Sequence, residues 1–241
     1  YLNTTEYMLN MVTSSEANPE KTRRYLRGGN VDGVLVVPDH TGDHSWAHLN
    51  GSLPLVFAGR PLINAKDSYF VEVDNEEGAV AATARLVESG RRHIATIAGP
   101  QDMPPGVDRL AGWRTTVLEA GLDDALVETG DFTVTSGAAA MRRLLGRGKP
   151  LDGVFAANDQ MAAGAYSVIK ERGLRIPEDI AVVGFDDDYY ATSVSPALTT
   201  IHHPIAALGE KMAELLVELI EGRPAERIHR LPTSLVVRES A

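Results

Sequence analysis

The chain contains no cysteine, few basic residues relative to acidic ones, and no long apolar run. Without cysteine there is no disulfide framework, no thiolate metal site and no cysteine nucleophile, which fits a reducing compartment such as the cytoplasm. The strongest apolar runs are as short as Val34-Leu35-Val36-Val37, far below the ~18 residues that a membrane span needs. Basic charge is scarce: 23 Lys and Arg stand against 33 Asp and Glu, a formal net charge of −10. Phosphate backbones repel such a surface, and no basic stripe with interleaved aromatics offsets it, so this chain should not bind nucleic acid by itself. Enzyme fingerprints are missing too. There is no G-x-S-x-G elbow, no phosphate-binding P-loop and no G-x-G-x-x-G turn. None of the seven histidines has an H-E-x-x-H spacing. These absences argue against an enzyme, a bound metal and a cofactor.

What is present is ordinary globular material, 44% apolar and 23% charged, in 241 residues: enough for one large or two small domains. The chain opens at Tyr1 and enters structured sequence almost at once, which reads as part of a longer protein. Strands are expected at Tyr7–Val12, Gly33–Val37, Leu55–Ala58, Tyr69–Val73, His93–Ala98, Ala125–Thr129, Gly153–Ala156 and Ile180–Phe185. They are near-continuous apolar runs, as parallel strands covered on both faces should be. Helical patterns alternate with them at Pro19–Arg27, Glu76–Ser89, Leu110–Ala120, Ser136–Leu145, Gln160–Arg172 and Ile205–Glu221. Pro19 suits a first helical turn, while Gly90, Gly121, Gly173 and Gly222 stand where left-handed carboxyl-terminal caps belong. This βαβ repetition predicts a doubly wound α/β fold. The strand count favours two sheets over one. Leu198–Ile201 and Leu235–Arg238 break the alternation as crossovers between two lobes would. Ligands of such folds sit at the carboxyl ends of the strands.

Several segments resemble the LacI/GalR repressor family. Val31-Asp32-Gly33-Val34-Leu35-Val36 is similar to its "VDGIIL" strand, Val73-Asp74-Asn75-Glu76-Glu77-Gly78-Ala79 to its "DNxxGA" helix start, and Arg109-Leu110-Ala111-Gly112-Trp113-Arg114 to its "RLAGF" helix. The longest likeness runs from Phe155-Ala156-Ala157-Asn158-Asp159 through Ile176-Pro177-Glu178-Asp179-Ile180 to Val183-Gly184-Phe185-Asp186-Asp187. Pro196-Ala197-Leu198-Thr199-Thr200-Ile201 and Leu235-Val236-Val237-Arg238-Glu239-Ser240 follow in family order.

The resemblance implies a periplasmic-binding-protein-like fold of two Rossmann-like lobes. Three crossovers should fall near Ser89–Arg92, Ile201–His203 and Arg230–Pro232. Residues 1–90 with 203–230 would form the amino-terminal lobe, lacking its first strand, and residues 91–202 with 231–241 the other. It further implies a cytoplasmic homodimer that touches operator DNA only through an amino-terminal helix-turn-helix head not seen before Tyr1. A small effector, a sugar or alternatively a purine, would bind between the lobes. An exported sugar-binding protein of a transporter is the rival, because fold alone does not separate the two.

Six residues are candidate effector contacts. Asp186 ends an apolar strand and can accept two hydrogen bonds from vicinal hydroxyls, whereas Asp187 and Asp188 read as solvated loop acids. Asn158 stands at a strand-to-helix junction. With Asp159 as the helix cap, Asn158 is free to offer a donor and an acceptor; as a cap itself, it is structural. Arg109 is taken to open a helix, where the dipole opposes a cation, so a ligand or a neighbouring acid must hold it. Phe132 lies on a loop where relatives place an aromatic against the effector, and Trp113 within a helix pattern reads as core. His203 competes with His202 for the second crossover contact, since adjacent extended residues face opposite ways. Glu77 either caps a helix dipole or reaches a hydroxyl. The proline-rich Gln101-Asp102-Met103-Pro104-Pro105-Gly106 departs from the family pattern in a loop where relatives carry effector contacts; Gly90-Arg91-Arg92-His93-Ile94 departs at the lobe boundary, where the family has histidine directly after the glycine.

Overall fold

A computed structural model describes residues 5–11, 19–37, 53–62 and 65–241. In chain order its elements are α1 (Pro19–Arg27), β1 (Val34–Val36), β2 (Leu55–Ala58), β3 (Tyr69–Val73), α2 (Asn75–Glu88), β4 (Ile94–Ala98) and α3 (Pro104–Glu119). There follow β5 (Val127–Thr129), α4 (Val134–Gly146), β6 (Gly153–Ala156), α5 (Asp159–Glu171), β7 (Ala181–Asp186) and α6 (Tyr189–Ser193). The chain closes with β8 (Thr199–His202), α7 (Ile205–Ile220), β9 (Ile228–Leu231) and β10 (Ser234–Val236). The α/β alternation is as expected. The strand predicted at Tyr7–Val12 is not: residues 7–11 form none, and Val12 lies outside the described residues.

The chain divides into two compact units, Tyr1–Val73 with Pro204–Leu231, and Asp74–His203 with Pro232–Ala241. Among the described residues the first holds a parallel four-stranded sheet, β1-β2-β3-β9. Val56, Val71, Met212 and Leu215 form one buried cluster, with α7 on that face; Leu26 of α1 joins Val36, Leu55, Phe57 and Phe70 in another. Covering on both faces is why β2 is a continuous apolar run and β3 is one broken only by Glu72. β9 escaped the sequence reading because, as an edge strand, it needs no such run: its Arg230 reaches the buried Glu72 of β3 at 2.8 Å.

The second unit holds a six-stranded sheet in the order β10-β8-β7-β6-β4-β5, parallel except for β10. One core packs α4 and α5 against it through Met141, Leu144, Met161 and Ile169; the other packs α2 and α3 through Leu86, Trp113, Val117, Phe155 and Phe185. Trp113 is fully buried, as expected of core. Each such side chain adds about 1.5–3 kcal/mol by leaving water. The first boundary differs from the expected Ser89–Arg92. The units part between Val73 and Asp74, because Ala79, Ala82 and Leu86 of α2 bury their face in the second unit's core.

Two local differences bear on the site. α3 begins at Pro104, six residues earlier than Leu110, since prolines at its first two positions sacrifice only N–H groups that a helix start leaves unpaired. Arg109 therefore lies in the second turn and does not open the helix. At the sheet edge, β5 is clasped by α4. Arg147 donates to the carbonyls of Ala125 (2.9 Å) and Val127 (2.8 Å), Arg143 donates to that of Thr129 (3.1 Å), and both pair with Glu128.

Candidate functional site

The candidate residues of the second unit gather at the carboxyl ends of its central strands. β6 gives way to Asn158 through Ala157, and β7 ends on Asp186. Two of the six candidates carry backbone angles that side chains rarely adopt: Phe132 at φ 66° and Asp186 at φ 108°, followed by Asp187 at φ 58°. Such conformations cost on the order of 1–3 kcal/mol each, persist only where the surroundings impose them, and concentrate at functional sites.

Arg109 is the centre of the cluster and is buried. Its Nε donates to Asn75 Oδ1 at 2.9 Å, and its Nη1 donates to the Ala157 carbonyl at 2.6 Å and to Asp186 Oδ1 at 3.3 Å. The guanidinium lies over the Phe185 ring, 3.6 Å from its centre, with the Phe132 ring 6.0 Å away. Burial pulls the Arg109 pKa below the ordinary guanidinium range, and the charge and hydrogen bond of Asp186 pull it back. The neighbouring acid expected as one way to hold Arg109 is thus Asp186 itself. This carboxylate keeps 23% of its side-chain surface exposed, leaving room for further donors.

His203 places Nδ1 3.7 Å from the same Asp186 oxygen, its N–H donates to the Asp186 carbonyl, and its buried Nε2 has no partner among the described residues. His202 turns the other way, to Asp187 at 3.1 Å. The two histidines face opposite ways, as alternation requires, with His203 beside Asp186.

Three sequence readings need correction. Asn158, not Asp159, caps α5: its Oδ1 accepts the Met161 amide at 2.9 Å. Its Nδ2 donates to the Phe132 carbonyl at 3.0 Å, tying the two candidates together. Asp159 is buried and engaged elsewhere. Asp187 is no solvated loop acid, because Arg238 meets it at 2.6 Å on the side opposite His202. Nor is Asp188, which caps α6 by accepting the Tyr190 amide at 2.7 Å.

The Phe132 ring is partly buried and lies over Gly99, where a Cβ would stand 2.4 Å from its Cζ. Glu77 alone stays apart. It is exposed on the first turn of α2, and its backbone N–H goes to Asp74 at 3.1 Å. From that same segment it is Asn75 that joins the cluster, and sequence reasoning missed it together with Phe185. The signal lay in the glycines. Gly78 lets Phe185 approach, with a Cβ there only 2.7 Å from the ring, and Gly112 lets α3 approach the Glu76 carbonyl, 2.3 Å from a Cβ. Interior helix glycines cost about 1 kcal/mol against alanine, so two of them in facing helices mark a close approach.

The cluster offers a carboxylate acceptor, a guanidinium, a carboxamide, an imidazole and an aromatic face. No group of His, Asp or Glu among the described residues could hold a metal ion. No helix among them is long and apolar enough to cross a membrane.

Comparison with known proteins gives these features a context. Residues 83–241 match the model of a periplasmic-binding-protein-like domain. The HTH-type transcriptional regulator CelR of Thermobifida fusca is 46% identical over 226 residues, which are 92% of this chain and 66% of that protein, so the chain spans just under two thirds of this relative's length. A solved structure described as a transcriptional regulator CelR–cellobiose complex superposes with a TM-score of 0.89 at 44% identity, covering 94% of this chain and 71% of the other. A LacI-family regulatory protein from Chloroflexus aggregans gives 0.83 at 32% identity over 94% and 83%. The chain belongs to the LacI family of transcriptional regulators and carries that family's periplasmic-binding-protein-like domain.

Proposed function

We propose that this chain is the sugar-sensing part of a cytoplasmic, homodimeric transcriptional regulator, that Asp186, Arg109, Phe132 and His203 contact the sugar, and that Asn158, although it caps α5, offers it the second Nδ2 hydrogen. The observation that carries the reading is the Arg109–Asp186 pair, whose carboxylate sits on a positive-φ turn with part of its surface still exposed. Acceptors and donors set side by side match the vicinal hydroxyls of a neutral carbohydrate, and Phe132 offers an apolar face to a ring. Glu77, exposed and apart from the cluster, complements the α2 dipole in place of reaching the sugar. Neither a catalytic constellation nor a metal enters the reading, and the relatives named above are regulators, which favours it over an exported sugar carrier and over an enzyme.

Sugar binding biases one arrangement of the protein over another by no more than the ligand's differential affinity for the two. Operator DNA is bound by a helix-turn-helix head carried elsewhere in the full-length protein. The isolated chain, with its net charge of −10, gives no specific complex in a mobility shift.

Thermal-shift and calorimetric titration with cellobiose, ribose and a purine tests the ligand class. A sugar at about 100 times its dissociation constant adds roughly 2.7 kcal/mol of stability. That gain should vanish in Asp186→Ala. Sugar binding to Asp186→Ala as tight as to wild type, or stabilisation by the purine alone, refutes the assignment.

A further inference from the structure

Asp159 has no part in the contacts proposed above, yet its surroundings are shaped to receive it. The side chain is completely buried, and it is not the α5 cap. Its Oδ2 accepts the Asp188 amide at 3.0 Å and its Oδ1 accepts the Thr200 hydroxyl at 2.6 Å. Strand β7 gives up a side chain to make room, since a Cβ at Gly184 would stand 2.2 Å from Oδ1. One buried acid thereby joins the start of α5, strand β8 and the turn after β7.

That turn carries the two consecutive left-handed residues Asp186 and Asp187. Its other ties run to Arg109 of α3, to Arg238, to His202, to the His203 amide and to the start of α6. Asp159 supplies the tie to α5, the helix that Asn158 caps. We propose that Asp159 is a positioning residue for effector binding: by holding the Asp188 amide and the Thr200 hydroxyl it keeps the turn wound and aims the Asp186 carboxylate. The inference rests on the effector site proposed above.

The charged and titratable groups that act on Asp159 are Asp186 and Asp188 on the turn, Arg109 of α3, and Tyr166 further along α5. Burial pushes the Asp159 carboxyl up to about 8; its two hydrogen bonds oppose the rise, and the charges of Asp186 and Asp188 add to it. Protonated, Asp159 places no charge beneath Asp186. Ionised, it repels Asp186 and competes with it for Arg109.

The test compares wild type with Asp159→Asn and Asp159→Ala. Asparagine keeps an acceptor for the Asp188 amide and a polar group for Thr200 but cannot ionise. The first readout needs no ligand: the backbone amide resonances of residues 186–188. They should stay near wild type in Asp159→Asn and move in Asp159→Ala. The wild-type Asp188 amide should titrate with a midpoint of about 8, a transition that Asp159→Asn abolishes.

The second readout is calorimetric titration with cellobiose. Asp159→Ala should lose about tenfold in affinity, the scale of one lost hydrogen bond. Wild-type affinity should fall about threefold from neutral pH to about pH 9 as the added charge strains the turn, and Asp159→Asn should not show this fall. Unmoved turn amides in Asp159→Ala, or undiminished cellobiose affinity in that variant, overturns the proposal. A wild type that ignores both cellobiose and ribose overturns the sugar reading and leaves the amides to decide this one. Should Asp159→Ala fail to fold, Thr200→Val removes a single donor and must raise the Asp188 midpoint; an unmoved midpoint then overturns the proposal.

Discussion

Replacing Arg109 with methionine removes the guanidinium while keeping a stem of similar reach over the Phe185 ring. Three hydrogen bonds disappear, to Asn75, to the Ala157 carbonyl and to Asp186. A bond to a charged group is worth about 1.5–3 kcal/mol, and breaking a buried ion pair by deleting one partner costs about 3–5 kcal/mol. Two terms pull the figure down. The arginine's own desolvation penalty is lifted, and the stranded Asp186 is still 23% exposed, so water takes over part of its charge. A net loss of about 3 kcal/mol follows, which for a protein of this size lowers Tm by roughly 6–12 °C. Urea denaturation is the assay, with the midpoint falling and the slope unchanged. Adding Asp186→Asn to the same chain should recover part of the loss, because the unpaired charge is gone; the double variant then costs less than the sum of the two singles. Arg109→Met within about 0.5 kcal/mol of wild type would mean that this cluster holds nothing together, and the site built on it would fall.

Two further outcomes follow from the same geometry. Between the ordinary carboxylate value and about 8, folded Asp159 keeps a proton that the unfolded chain has lost, so its contribution to stability is full in acid and declines as pH rises through that window. Asp159→Asn should flatten this decline in urea melts, and an unchanged pH profile would contradict the buried, protonated acid. Gly112→Ala should cost about 2 kcal/mol or more, since its Cβ meets the Glu76 carbonyl at 2.3 Å and must push α2 from α3; thermal denaturation measures it, and a neutral substitution would show that the two helices do not need their close approach.

The parts of the fold that the sequence reveals are those with one strong signal. Near-continuous apolar runs located β2, β3, β6 and β7 to within a residue or so, and glycines marked where several helices stop. β9 carried no such run, and α6 is only five residues long, so neither rises above its polar surroundings. Within the site, strand-end logic placed Asp186 and the family likeness placed Arg109 and Phe132. The exchange of roles between Asn158 and Asp159 could not be read, because both residue types cap helices equally well. What decides it is far away in the chain: the bare Gly184 and the hydroxyl of Thr200 make a socket that only the second of the two residues reaches. Asn75 and Phe185 were hidden for a similar reason, their partner Arg109 lying 34 residues from the one and on a different element from the other.

The clasp on β5 has a consequence for how copies of this chain can meet. Successive outward carbonyls of a border strand are an invitation to any passing strand, and a sheet left open there can grow by templating its neighbour. Here the acceptors at Ala125, Val127 and Thr129 are already taken by the Arg143 and Arg147 guanidinium groups. Glu128 locks those cations in place: burial raises its pKa, but the two arginines outweigh burial and hold the carboxyl below its usual range. An incoming strand would have to evict two anchored cations before forming its first bond. This border of the sheet is therefore guarded against edge-to-edge pairing, and a second copy that met it would find side chains where it needs backbone acceptors.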